Sequence, residues 1–243
     1  MELFKVEIPM LKLSSIPENE QVFFVQMGSL LNDLSMLQKL TVFSTNIKTA
    51  NQVVRAAQNL QTLSLIRIQA GKLHEGWNAL QKNFSNKRFS QKYLGKLTPS
   101  EKLSYDKAMT YFDGKKSLIS WIRNNFAFHY FTKPRTIRKL IDEVPDSEIF
   151  EMFMSDIYGN CIFSMSDTLI NFAILKYTGI TDTNKAMEKL LRDVKEITKC
   201  FGHFLGRFLL VFTEKYLGLQ STKVEIPDPP NINKVILPYF IKG

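Results

Sequence analysis

From Gln21 to Ile47 the apolar residues Phe23, Met27, Leu30, Leu34, Leu37 and Leu40 fall three and four positions apart, with Phe24, Leu31 and Val42 or Phe43 beside them. One buried face of a helix needs that spacing, so the segment predicts a long first helix. Asn51 to Asn83 repeats the pattern through Val53, Ala57, Leu60, Ile68, Leu73, Trp77 and Leu80, with Asn51 placed to cap a second. The short connection predicts that the two pack antiparallel. Residues 84 to 97 are polar and basic with Gly95 and read as a loop. Thr98-Pro99-Ser100-Glu101 then supplies a cap, a proline at the first helical position and an acid in the first turn, starting a third helix to about Phe112. Asp113-Gly114 ends it, and Lys115 to Tyr130 reads as a fourth, with Leu118, Trp121, Ile122, Phe126 and Phe128 as its apolar positions.

Beyond Pro134 the pattern is less regular. Arg135 to Val144 reads as a short helix, while Ile149 to Met154 and Cys161 to Met165 fit strands or buried turns. Ser166 to Tyr177 and Asn184 to Leu217 read as helices, with Gly179 and Gly218 as stops. Lys5-Val6-Glu7-Ile8-Pro9 recurs identically as Lys223-Val224-Glu225-Ile226-Pro227. Both copies alternate apolar and polar residues and end at proline, as short edge strands do, so the two are expected side by side. The expected fold is mainly α with short terminal strands. An extended segment (1–20) precedes a helical bundle (21–140), a helical extension packed on it (141–220) and an extended tail (221–243).

Composition narrows the class. With 243 residues, 44% hydrophobic and 12% aromatic, the chain has ample material for a core. Cys161 and Cys200 have neither metal-ligand nor disulfide-framework spacing, so both read as core thiols of a cytoplasmic protein. Acids near Met1 argue against a secretory leader. The most apolar stretch, Phe201 to Phe212, is too short to span a bilayer, which takes about 20 helical residues. No membrane association is expected.

The net charge of +9 is concentrated. Between Lys82 and Lys139 stand 14 Lys or Arg against three acids, and six acids from Asp142 to Asp156 follow with no base between them. The basic block suits a polyanion such as RNA, because neutralising phosphates releases counterions. A solvated face partly paired with the acidic run is the other reading.

No Gly-rich phosphate loop, HExxH, Cys/His cluster or Gly-x-Ser-x-Gly elbow is present, and three histidines argue against a transition-metal site. Neither metal nor cofactor is expected. What remains is Arg and His on a helix in a basic region. RNA cleavage without metal needs a base for the 2′-hydroxyl proton, an acid for the leaving oxygen and a cation for the phosphorane. His129, with an unperturbed pKa of about 6.5, suits either proton-transfer role. Arg123, permanently charged and forked, suits the phosphorane.

The segment Arg123-Asn124-Asn125-Phe126-Ala127-Phe128-His129 resembles the nuclease motif of the HEPN (higher eukaryotes and prokaryotes nucleotide-binding) superfamily: arginine, a polar residue, then histidine after a gap of four to six. The resemblance covers roughly residues 21 to 140 and implies an HEPN-like helical bundle with the motif on a late helix. It further implies a metal-independent endoribonuclease of toxin or phage-defence type, a homodimer sharing one cleft, and in toxin systems an antitoxin partner. Arg67 and His74 match the gap as well, but Ile68 follows Arg67 and the charge around Arg123 is more positive. In a regular helix Arg123 and His129 stand about 120° apart and about 9 Å along the axis, so they need a partner surface.

Asn124 joins Arg123 and His129 as a catalytic candidate, and Glu75 beside His74 is a candidate acidic helper. Lys115, Lys116, Arg88 and Lys92 are the candidate nucleic-acid contacts. Tyr130 directly follows His129, which departs from toxins whose modified tyrosine stands two residues on. Interleaved aromatics such as Phe89 and Tyr93 fit base stacking or a core equally. Two function classes stay open: the nuclease, and a non-catalytic helical module that binds a protein or nucleic acid through a basic face.

Overall fold

The computed structural model describes residues 2–114, 117–128, 134–144, 147, 149–218 and 221–242, with side chains left aside at 134–137. The described chain is mainly α. In order it comprises β1 (Leu3–Val6), α1 (Met10–Ser14), α2 (Glu18–Thr45), α3 (Gln52–Phe84), α4 (Lys87–Leu94), α5 (Pro99–Asp113) and α6 (Leu118–Ile122). A π-helical turn (Arg123–Ala127) follows, then α7 (Pro134–Asp142), β2 (Met152–Phe153), a 3-10 turn (Tyr158–Asn160), β3 (Ile162–Phe163), α8 (Ser164–Tyr177), α9 (Thr183–Tyr216) and β4 (Ser221–Val224).

The helix ends obey local chemistry. Asn51 Oδ1 accepts from the Val54 N–H and caps α3. Thr98 and Glu101 exchange hydrogen bonds in a full capping box on α5. Gly179 and Gly218 take φ of 72° and 75° after α8 and α9, the left-handed region that ends helices. The strands that lead into the two repeats pair antiparallel, β1 with β4, but the repeats do not face each other: Lys5 and Val6 stand opposite Thr222 and Ser221, and Lys223 and Val224 opposite Phe4 and Leu3. Residues 87–94, expected to be loop, form α4 instead. Asn86 caps it through the Phe89 N–H, and Phe89 and Tyr93, one turn apart, are buried. The segment 1–20 holds a strand and helix turns besides extended chain.

Contacts across α2 and α3 run in opposite order along the two helices. Gln26 meets Asn83, Asp33 meets Lys72 and Ser44 meets Thr62. The pair is therefore antiparallel. A Cβ on Gly76 would collide with the Leu30 side chain, so the glycine allows the close approach.

Two compact units each draw on several stretches of the chain. One compact unit joins Met1–Ser35, Lys72–Lys115 and Glu196–Asn231, and a second joins Met36–Gly71, Lys116–Lys195 and Ile232–Gly243. Residues of α2, α3 and α9 belong to both units.

The first unit has an aromatic core. Phe23 is 1% exposed, with the rings of Phe84, Phe89, Tyr93 and Phe208 centred 4.7 to 6.1 Å away. Trp77 stacks on Phe112 at 5.3 Å. The interleaved aromatics Phe84, Phe89, Tyr93 and Tyr105 are thus core residues. Cys200 is buried here, and burial pushes its thiol up, away from reactivity.

The second unit packs Ile66, Ile119, Ile122, Leu190 and Val194, all nearly inaccessible. A smaller cluster gathers Trp121 and Phe126 against Leu140, Leu169 and Ala173. β2 and β3 pair antiparallel, Met152 opposite Phe163. The C-terminal residues cross this unit as a strap. Asn46 Nδ2 donates to the carbonyls of Ile232 and Val235, Gln58 Nε2 donates to that of Leu237, and Asn160 both donates to and accepts from Ile241.

Candidate functional site

Ser117 caps α6 by accepting from the Ser120 N–H, and Ile119 and Ile122 anchor that short helix in the core. At Arg123 the helix widens into the π turn, which ends at Phe128. Aromatic anchors hold the turn. Trp121 stacks on Tyr177 at 4.3 Å and meets Phe126 edge-on at 5.1 Å. Phe128 and Ala127 lie directly on Gly71 of α3.

Arg123 is half-buried and its Nη1 donates to Asn124 Oδ1 at 3.1 Å. Asn124 and Asn125 are exposed, and Asn125 Nδ2 donates to the Trp121 carbonyl at 2.7 Å. The regular helix expected to Tyr130 is therefore interrupted at the arginine, where the residues no longer follow α-helical spacing. Insertions of this kind concentrate at functional positions. Arg123 and Asn124 come together on the turn; His129, Lys115 and Lys116 lie outside the described residues.

Glu75, half-buried, belongs to the first unit, as do His74, whose ring centre is 6.1 Å from that of Phe112, and the exposed Arg88. Lys92 has a structural role that the sequence did not reveal. Its Nζ is 2.7 Å from Glu20 Oε1, a carboxylate 1% exposed that also receives the Tyr93 hydroxyl and Lys215 Nζ. Burial alone would raise the Glu20 carboxyl. Hydrogen bonds from Lys92, Tyr93 and Tyr216 and the charge of Lys215 outweigh it and hold the group below the ordinary range. Burial, then the hydrogen bond to Glu20, pushes the Tyr93 phenol far up.

Arg67 of the second Arg/His match is ion-paired. Arg67 Nη2 lies 2.6 Å from Asp167 Oδ1 and 2.9 Å from Ser64 Oγ, with the side chain 12% exposed. Its charge is committed to a half-buried ion pair. Among the described residues of the basic and acidic blocks, Arg138 bridges Asp142 at 2.9 Å, while Glu143 takes Lys176 from α8 at 2.6 Å.

Among the described residues no group of three or more His, Cys, Asp or Glu is placed to hold a metal ion. No helix among them is long and apolar enough to cross a membrane. Fold and site thus define a mainly α, basic helical protein with an arginine–asparagine pair on a π turn. Compared with family models, curated proteins and solved structures, the chain matches none of them.

Proposed function

We propose that the chain is a metal-independent endoribonuclease of the HEPN type, acting as a homodimer in the cytoplasm in toxin–antitoxin or phage-defence systems. One observation carries the reading: the half-buried Arg123 is tied to the exposed Asn124 on a π turn clamped to α3. A guanidinium held this way is oriented before substrate arrives, which lowers the cost of meeting a phosphate.

His129 takes the 2′-hydroxyl proton or gives one to the leaving 5′-oxygen, with the second copy's motif supplying the complementary step. The 2′-oxygen bonds to phosphorus as the bond to the 5′-oxygen breaks, leaving a cyclic phosphate and a 5′-hydroxyl. Arg123 stabilises the phosphorane between them. Arg88, Lys115 and Lys116 supply the salt-sensitive hold on RNA, with Lys92 limited by its engagement with Glu20.

The test is cleavage of total RNA in excess chelator by wild type, Arg123→Ala and His129→Ala, with circular dichroism to verify folding. Loss of cleavage in both folded variants is expected. Undiminished cleavage in both refutes the site, and salt-sensitive binding without turnover in wild type identifies a non-catalytic binding module instead.

A further inference from the structure

A cavity of about 610 Å³ opens in the second unit where α2 ends and α3 and α9 begin. Its size is that of a small-molecule site. Arg123 is not part of it, and nothing in the nuclease reading requires it.

The lining is chemically divided. Leu63, Ile66, Met187 and Leu191 give an aliphatic surface, with Ile66 2% exposed at its base. Lys48 and Arg55, both exposed, bring two positive charges, and among the described residues no carboxylate belongs to the lining. Among the described residues neither cation has an acidic partner. Arg55 Nη2 makes two long contacts, 3.5 and 3.4 Å, to the carbonyls of Thr49 and Ala50. Asn51 and Asp182 already cap the starts of α3 and α9, so the positive potential here belongs to the two side chains.

The wall is preformed. Gln58 is 6% exposed and donates to Gln61 Oε1 at 2.8 Å and to the Leu237 carbonyl at 3.0 Å. Ser44 and Thr62 hydroxyls bond at 2.9 Å. Exposed Asn59 and Asn184 add carboxamides at the polar side. Among the described residues no aromatic ring lines the cavity, so they offer no platform for stacking a nucleobase.

We infer that this cavity binds a medium-chain amphipathic anion, an alkyl chain on the aliphatic surface with a carboxylate or phosphate head on Lys48 and Arg55. Branched aliphatic residues and a methionine adapt to a flexible chain, and two unpaired cations select its head.

The test uses the full chain carrying methyl-labelled methionine, titrated below micelle-forming concentrations with octanoate, nonanoate, decanoate, decyl phosphate and decanol. Decanoate is expected to shift the Met187 methyl saturably, with affinity rising by up to about fourfold per added methylene. Decanol binds roughly tenfold or more weakly, and Lys48→Gln with Arg55→Gln weakens decanoate by about the same factor while leaving decanol unchanged. Leu191→Trp, at a half-exposed position, blocks the cavity and removes the shift. Comparing decanoate with decyl phosphate identifies the preferred head. Equal binding of decanol and decanoate, an unmoved Met187 methyl, or adsorption to phosphatidylglycerol vesicles without response to any soluble anion overturns the inference. Arg123→Ala binds decanoate like wild type, which separates this site's failure from that of the nuclease reading.

Discussion

Phe128 lies so close to Gly71 that a Cβ on the glycine would stand 2.6 Å from Cε2 of the ring, with the Ala127 methyl 2.8 Å away. The contact ties the end of the π turn to the middle of α3. It also explains a glycine in the interior of a 33-residue helix, where it costs about 1 kcal/mol against alanine.

Gly71→Ala sets that helical gain against overpacking of roughly 1–3 kcal/mol. A net loss of stability of about 1 kcal/mol is expected in urea unfolding. Phe128 is 45% exposed, so Phe128→Ala gives the ring's space back at small cost. The double variant should recover the part of the loss due to the ring, since the Ala127 methyl stays in place; a purely additive double variant would show that the ring contact is not the cause.

Glu20→Gln removes the negative charge on which Lys92, Lys215 and Tyr93 converge. Both lysines are over 40% exposed and rehydrate readily, so a loss of roughly 1–3 kcal/mol at neutral pH is expected. The wild-type carboxyl titrates below its unfolded value of about 4.3. Its stabilisation is therefore full above that value and is lost as pH falls through the lower folded one. Melting curves of the two proteins should converge on acidification, and a gap that stays constant to strongly acidic pH contradicts the assignment.

Asp167→Ala strands the Arg67 guanidinium, 12% exposed, without its counter-charge. Asp167 is itself 30% exposed, so solvent screening trims the loss to roughly 1–3 kcal/mol. Arg67→Met in the same chain should return much of it, because an apolar pair carries no desolvation penalty. Chemical denaturation of the single and double variants decides between this and a loss due to packing alone.

Asn160 is 8% exposed and holds both the N–H and the carbonyl of Ile241. Asn160→Ala should cost about 1–2 kcal/mol in the full chain. In a chain ending at Asn231 the same substitution should cost much less, since its partner is gone. Equal losses in both backgrounds would place the effect in the 3-10 turn around Asn160 rather than in the strap.

Local signals carried much of the architecture. Thr98 and Glu101 read as a helix start because cap and first-turn acid lie within one turn, and α2 and α3 read as helices because their apolar spacing is sustained for many turns. α4 was hidden for the converse reason: Phe89 and Tyr93 are its only buried apolar residues, and the lysines and arginine around them look like loop. The π turn left no trace in periodicity, since one widened hydrogen-bonded turn does not change which residues are apolar. The roles of Lys92 and Arg67 depend on Glu20 and Asp167, which are 72 and 100 positions away. No spacing rule reaches them. Arg123 and Asn124 were legible as neighbours, whereas the clamp that orients them required Gly71, which reads in sequence only as a flaw in a helix.

The pairing of β1 with β4 has a kinetic side. Leu3 and Val224 form a short, largely exposed ribbon across almost the full length of the chain. Closing so long a loop carries a large entropic cost, and four paired residues on each side return little of it. The ribbon therefore assembles after α2, α3 and α9 have brought its ends together, and it opens first. Its amides should exchange with solvent far sooner than those between Phe201 and Phe212, which makes it a reporter of local fraying while the aromatic core stays closed.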